Sequence, residues 1–169
     1  MFMINEKDKI KFMDAVSSGI SVGVPGVISM LGNAHTLHGS LSWEELIKPS
    51  IKLAENGFAI SPRLHYMLGR FSHLKKDINA KNLFYTNEEL PKPIGHRVFN
   101  NELTESLKKI SLNPRAINEG AIANSIINKI HSTTEGNLIT LDDLKNWRSK
   151  VKKPICSNYR DFKVCGMAP

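Results

Sequence analysis

Three groups of side chains have the type and spacing to do chemistry. His35 and His38 stand three residues apart, so on a helix they share a face and could hold a metal ion. No third ligand of suitable spacing accompanies them, which makes them structural histidines. Lys145, Arg148, Lys150, Lys152 and Lys153 form a basic cluster that could touch phosphates. Only Trp147 is interleaved with them as a base-stacking aromatic, so a solvated face is the expected state. Glu44 and Glu45 are adjacent, point in different directions on a helix, and do not make an acid–base pair. Cys156 and Cys165 are the only cysteines and lack a CxxC spacing. Two buried or half-buried thiols are expected of them, with a disulfide or ligand role as the alternative.

These residues sit in a chain of 169 residues, enough for one ordinary domain with a real core. Its 41% hydrophobic and 23% charged content is that of a soluble globular protein. The formal charge of +7 could suggest an anionic partner. The accompanying richness in Lys, Asn and Ile is a compositional bias, and neither nucleic acid nor membrane is expected as a partner. No apolar run reaches the roughly 20 residues of a membrane-spanning helix. The N-terminal stretch mixes charges of both signs, unlike a signal peptide. As written, nothing exports or anchors the chain.

The elements that must position these groups read mainly as helices. Residues 5–16 form a short leader with a loose apolar face at Ile10, Phe12, Met13 and Val16. Ser17 to Gly26 alternates small and β-branched residues, which predicts a strand entering a tight turn at Pro25-Gly26. Helical spacing follows from Gly26 to His38, stopped by Gly39. Ser42 with Glu45 is a capping box that opens the next helix, Gly57 closes it, and the internal Pro49 should kink or split it. Ser61-Pro62 starts a helix to about Leu74. From Lys75 to Phe99 a loop is expected, with a short extended piece at Leu83 to Tyr85. Helical spacing returns at Leu103, Leu107 and Ile110, breaks at Asn113-Pro114, and resumes from Ala121 to Ile130. Thr140 with Asp143 opens a last helix, through Leu144 and Trp147. The end alternates as a hairpin turning around Ser157-Asn158. The expected fold is α+β, predominantly helical with short strands near both ends. Those strands pair with each other or with a sheet of another chain; the abrupt stop at Met167-Ala168-Pro169 favours the second.

Four segments, in order, carry a family resemblance. Ser18 to Gly26 (SGISVGVPG) resembles the glycine-rich SG-x-x-VGVPG turn of γ-glutamyltranspeptidases. His35 to Phe58 (HTLHGSLSWEELIKPSIKLAENGF) resembles their helix pair, internal proline included. Gly136 to Trp147 (GNLITLDDLKNW) resembles "GG-x-x-T-x-x-DL-x-x-Y", and Tyr159 to Pro169 (YRDFKVCGMAP) resembles "YRGY-x-V-x-S-MPP". The match covers about residues 17–169, leaving 1–16 as a leader. Asp161 replaces a turn glycine, Gly166 a serine and Ala168 a proline. Ile117-Asn118 stands where the family has an aromatic pair, a loss expected to cost a few kcal/mol of packing.

The resemblance implies a partial large subunit of an αββα N-terminal nucleophile hydrolase. In such an enzyme a threonine freed by self-cleavage attacks the γ-glutamyl amide of glutathione, with its own α-amine as general base. Water or an amino acid then resolves the acyl-enzyme. The family's threonine lies beyond the "MPP" segment. The arginine that binds the donor carboxylate lies in an "RE-x-AP" run upstream of VGVPG, and no Arg-Glu pair occurs in this chain. Thr133-Thr134 aligns with the loop before GNLIT, and a cut there would leave only residues 134–169, too few for the small subunit's sheets. Ser17-Ser18-Gly19 precedes VGVPG and reads as a strand turn rather than the small subunit's oxyanion-hole serines. No catalytic, cofactor-binding or metal-binding residue is therefore expected here, and the family uses no metal or cofactor. The implied partners are the remaining large- and small-subunit segments, with glutathione-type γ-glutamyl substrates only in the complete enzyme. Family members are typically periplasmic, secreted or surface-anchored. A non-catalytic interaction module built on the same scaffold is the alternative.

Overall fold

The computed structural model describes residues 10–133 and 138–167. Eight α-helices and two two-stranded antiparallel sheets follow one another among them. Helix α1 (Phe12–Val16) leads into a 3-10 turn at Gly19–Ser21, then α2 (Val27–His38) and α3 (Trp43–Asn56). Strand β1 (Phe58–Ala59) precedes α4 (Pro62–Arg70), a 3-10 turn at Ser72–Lys76, and α5 (Ile78–Phe84). Strand β2 (Arg97–Val98) returns to β1, pairing Phe58 with Val98 and Ala59 with Arg97. Helices α6 (Asn101–Leu112), α7 (Gly120–His131) and α8 (Leu141–Asn146) complete the body. Strands β3 (Ile155–Tyr159) and β4 (Phe162–Gly166) pair only with each other among the described residues.

The helix starts follow side-chain caps. Ser42 accepts from the Glu45 N–H while Glu45 Oε2 accepts from the Ser42 N–H at 3.0 Å, a complete capping box. Thr140 and Asp143 repeat it at α8. Helix α3 runs unbroken through Pro49, contrary to the expected split. Its packing along α6 offsets the proline's penalty of about 3 kcal/mol. Trp43 Nε1 donates to the Ile110 carbonyl at 2.8 Å, and the Asn100 N–H reaches the Ala54 carbonyl at 3.1 Å. Gly57 ends α3 at φ +75°, where Arg97 donates to the Asn56 and Gly57 carbonyls at 3.0 and 2.9 Å.

Three elements differ from the sequence expectation. Residues 17–26 are not a strand: they hold a 3-10 turn and irregular backbone. Serine hydroxyls there bond back to nearby carbonyls (Ser17 to Met13, Ser18 to Ala15, Ser21 to Ser18), which competes with a ladder. No strand therefore stands near the N-terminal end among the described residues. Residues 78–84 are a helix rather than loop, because Asp77 Oδ1 accepts from the Ala80 N–H at 2.9 Å and caps it. The final hairpin turns at Arg160-Asp161, three residues later than Ser157-Asn158, with Tyr159 opposite Phe162 and Arg160 at φ +52°.

The core is built from small patches. Ile60, Leu68, Tyr85 and Val98 are buried together with the β1–β2 pair, and Tyr85 Oη donates to the Leu68 carbonyl at 2.9 Å. Ala15, Ala123, Ile130 and Leu144 are buried on and around α7 and α8. No described helix is long and apolar enough to cross a membrane.

Candidate functional site

The glycine-rich segment, the turn after α6, the end of α7 and Trp147 meet at one junction. The Gly19 N–H donates to Thr133 Oγ1 at 2.8 Å, and that hydroxyl donates to the Ile130 carbonyl at 2.8 Å. A Cβ at Gly19 would run into the Ile130 carbonyl oxygen and sit 2.8 Å from its Cγ2. One at Gly26 would lie inside the Trp147 ring contact, 2.5 Å from Cη2. Both glycines are needed for close approach, since neither has positive φ. Pro25 receives a bond from Asn118 Nδ2 at 3.4 Å, and Asn118 Oδ1 accepts from the Ser29 hydroxyl. Asn118 is fully buried. The position where aromatic burial was expected to be lost thus holds a satisfied polar network. Only its type, a buried Asn after a proline turn, could have signalled it.

Arg115, which the sequence did not single out, donates to the Lys145 and Trp147 carbonyls at 2.8 and 3.3 Å. Arg148 donates to the same two carbonyls at 2.6 and 2.8 Å. Two guanidiniums therefore cap the C-terminus of α8, favoured by the helix dipole. Within the basic cluster Arg148 is so engaged, while Lys145, Lys150, Lys152 and Lys153 are exposed.

The other candidates are placed as follows. His35 Nε2 lies 2.7 Å from the Leu41 carbonyl and its ring meets Trp43 edge-on at 5.5 Å, so it fastens the α2–α3 connection. His38 is exposed in the last turn of α2. Among the described residues no group of three His, Cys, Asp or Glu could hold a metal. Ser17 and Ser18 serve the turn through the back-bonds described above. Thr133 clamps Gly19; Thr134 and its neighbours to residue 137 lie outside the described residues. Glu45 is a cap, its carboxyl held below the usual range first by the Ser42 hydroxyl, and Glu44 is exposed. The expectation of two buried thiols is overturned: Cys156 and Cys165 are disulfide-bonded and both exposed. They face each other across the β3–β4 register, with Cα atoms 4.1 Å apart. A turn three residues later than expected is what brings them opposite.

That hairpin is the most unusual surface of the molecule. Every strand position is exposed. Alternation puts Ile155, Tyr159, Phe162 and Val164 on one face, and Cys156, Asn158, Lys163 and Cys165 on the other. Phe162 is 70% exposed and Tyr159 61%. An apolar sheet face of this kind marks a surface built to be covered.

A helical body carrying such a hairpin matches part of solved structures with the N-terminal nucleophile hydrolase fold. The crystal structure of Helicobacter pylori γ-glutamyltranspeptidase superposes with a TM-score of 0.89 at 27% identity, covering 100% of this chain and 48% of that one. The enzyme from Pseudomonas nitroreducens superposes with a TM-score of 0.79 at 26% identity, again over 100% of this chain and 48% of the other. The γ-glutamyltranspeptidase family model matches residues 1–169, and the chain belongs to that family. Glutathione hydrolase 2 of Arabidopsis thaliana is 36% identical over 89% of the chain, and the glutathione hydrolase proenzyme of Bacillus subtilis 30% over 100%. The chain spans 26% and 28% of the length of these two relatives.

Proposed function

We propose that this chain is a portion of the large subunit of a γ-glutamyltranspeptidase, supplying the helical scaffold that packs against the catalytic sheets. The complete enzyme would hydrolyse glutathione's γ-glutamyl amide or transfer the γ-glutamyl group to an amino acid, and this portion would be inactive alone. The observation that carries the reading is the β3–β4 hairpin, whose apolar face of Ile155, Tyr159, Phe162 and Val164 has nothing over it among the described residues. A strand pair of that composition suits the edge of a larger sheet contributed by the missing segments. The reading is also supported by the engagement of the residues most suggestive of nucleophilic chemistry: Thr133 clamps Gly19, and Ser17 and Ser18 hold their own turn.

The test is an assay of the purified chain with γ-glutamyl-p-nitroanilide, alone and after co-expression with the upstream and downstream segments of a family member. The expected result is no release above background alone and activity in the reconstituted assembly. Turnover by the chain alone would overturn the assignment of the catalytic residues to missing segments. A chain that forms no complex with those segments would overturn the scaffold role and favour a separate interaction module.

A further inference from the structure

The two faces of the hairpin differ in a way that the scaffold role does not use. The apolar face is available for docking. The opposite face carries the Cys156–Cys165 disulfide, with Asn158 and Lys163 as the next cross-strand pair. Side chains on alternate positions point to opposite sides of the pleat, so the disulfide lies on the side away from the apolar face. Both cysteines are exposed in the structure.

We propose that the Cys156–Cys165 disulfide is a thiol-exchange site for small anionic thiols, and that its reduction unclasps the hairpin. A small thiolate attacks one cysteine sulfur, forming a mixed disulfide and releasing the other cysteine as thiolate. A second thiolate attacks the outer sulfur of the mixed disulfide and leaves as the symmetrical small-molecule disulfide. Two thiols are oxidised, the protein disulfide takes up their two electrons, and their two protons end on Cys156 and Cys165. Lys163 lies on the same face two residues along β4 from Cys165, about 7 Å by the rise of a strand. Its ammonium draws an anionic thiol and steadies the departing thiolate.

The structural consequence follows from how little else holds the strands. An isolated two-stranded hairpin is at best marginally stable in water. Here no other element of the body packs extensively on it. The disulfide closes a short loop, with a sequence separation of 9, and removes disordered arrangements from the competing ensemble. Without it the strands lose their register and the apolar face loses its shape. The proposal rests on the hairpin's geometry and does not depend on the catalytic reading.

The experiment uses the full chain under native conditions, trapping thiols by alkylation and counting them by mass. Glutathione should reduce the bond at millimolar concentration, both thiols appearing together, and hydrogen exchange at residues 155–166 should rise about tenfold or more. K163E should slow reduction by glutathione about threefold at low salt, and slow reduction by 2-mercaptoethanol less, because its attacking thiolate carries a smaller negative charge. The double variant C156S/C165S should show the fast exchange with or without thiol. A disulfide that withstands millimolar glutathione in the folded chain overturns the exchange site. Unchanged hairpin exchange after reduction overturns the clasp. Equal effects of K163E on both thiols overturn the role of charge.

Discussion

The helical body and the terminal hairpin solve the same problem in opposite ways. In the body, local signals and nearby neighbours suffice. Ser42 and Thr140 cap their helices, Arg97 and Arg115 close helix ends, and Leu144 and Ile60 find cover within the chain. In the hairpin the polar groups of the backbone pair across the strands, yet the apolar side chains remain in water. The strands are held by a covalent bond on one face and await cover on the other. The difference teaches where the chain's own stability ends. Burial stabilises only where another element removes the side chain from water, so Leu144 and Ile60 contribute that free energy within this chain and the hairpin's apolar residues do not.

The strongest way to break that comparison is a pair of truncations. Leu144→Ala, at a fully buried position, should lower stability by about 2–5 kcal/mol. Phe162→Ala, with its ring in solvent, should leave the chain's own stability within about 0.5 kcal/mol. Urea unfolding of both variants checks this. Equal losses would show that the hairpin is already part of the folded core. In the reconstituted assembly the order should reverse for binding, with Phe162→Ala losing complex formation that Leu144→Ala retains below its melting point.

A smaller effect tests the polar junction. Asn118→Ala removes the partner of the Ser29 hydroxyl and of the Pro25 carbonyl, both of them inside the body. Leaving such groups unpaired should cost about 1–3 kcal/mol, read as a lowered urea midpoint. If the loss is negligible, the junction is held by the Gly19 and Gly26 contacts alone.

Helix caps come next. Ser42→Ala and Thr140→Ala should each cost about 1 kcal/mol, and because the sites are on separate helices the two losses should add. These caps were legible from sequence, since a hydroxyl followed three residues later by a carboxylate is a local signal that does not depend on the rest of the fold. Where the reading failed, the deciding information was of another kind. Asp77 offers only half of that signal, a lone carboxylate cap with Ala80 three residues on, in a stretch whose Lys and Asn content resembles loop. At 17–26 the β-branched alternation pointed to a strand, whereas the serines' back-bonds and the close approach of Gly19 to Ile130 decided the conformation. The disulfide depended on register. With the turn at Ser157-Asn158 the two cysteines do not face each other; with the turn at Arg160-Asp161 they must. One misplaced turn accounts for both errors. The junction around Asn118 was the least legible, because it joins residues 85 to 93 positions apart whose meeting only the packed fold produces.

The last and smallest test is electrostatic and lies wholly in the body. Asp77 caps α5 and also pairs with Lys129 of α7 at 2.6 Å. The Lys129 ammonium, and after it the Ala80 N–H, hold the Asp77 carboxyl below the usual aspartate range. A folded-state pKa below the unfolded one means that the unfolded chain binds the proton first as pH falls. The contribution is therefore fully present above the ordinary aspartate value and disappears as pH drops through the lower, folded one. Asn caps helices as well as Asp does, so Asp77→Asn removes the charge and keeps the cap. The gap in urea midpoint between wild type and Asp77→Asn should be widest near neutrality, narrow below about pH 4, and shrink with added salt because the pair is partly exposed. Glu45 and Asp143 are likewise depressed, but they titrate in both proteins and cancel from the difference. A gap that stays constant from neutral to acidic pH would assign Asp77's contribution to the cap alone.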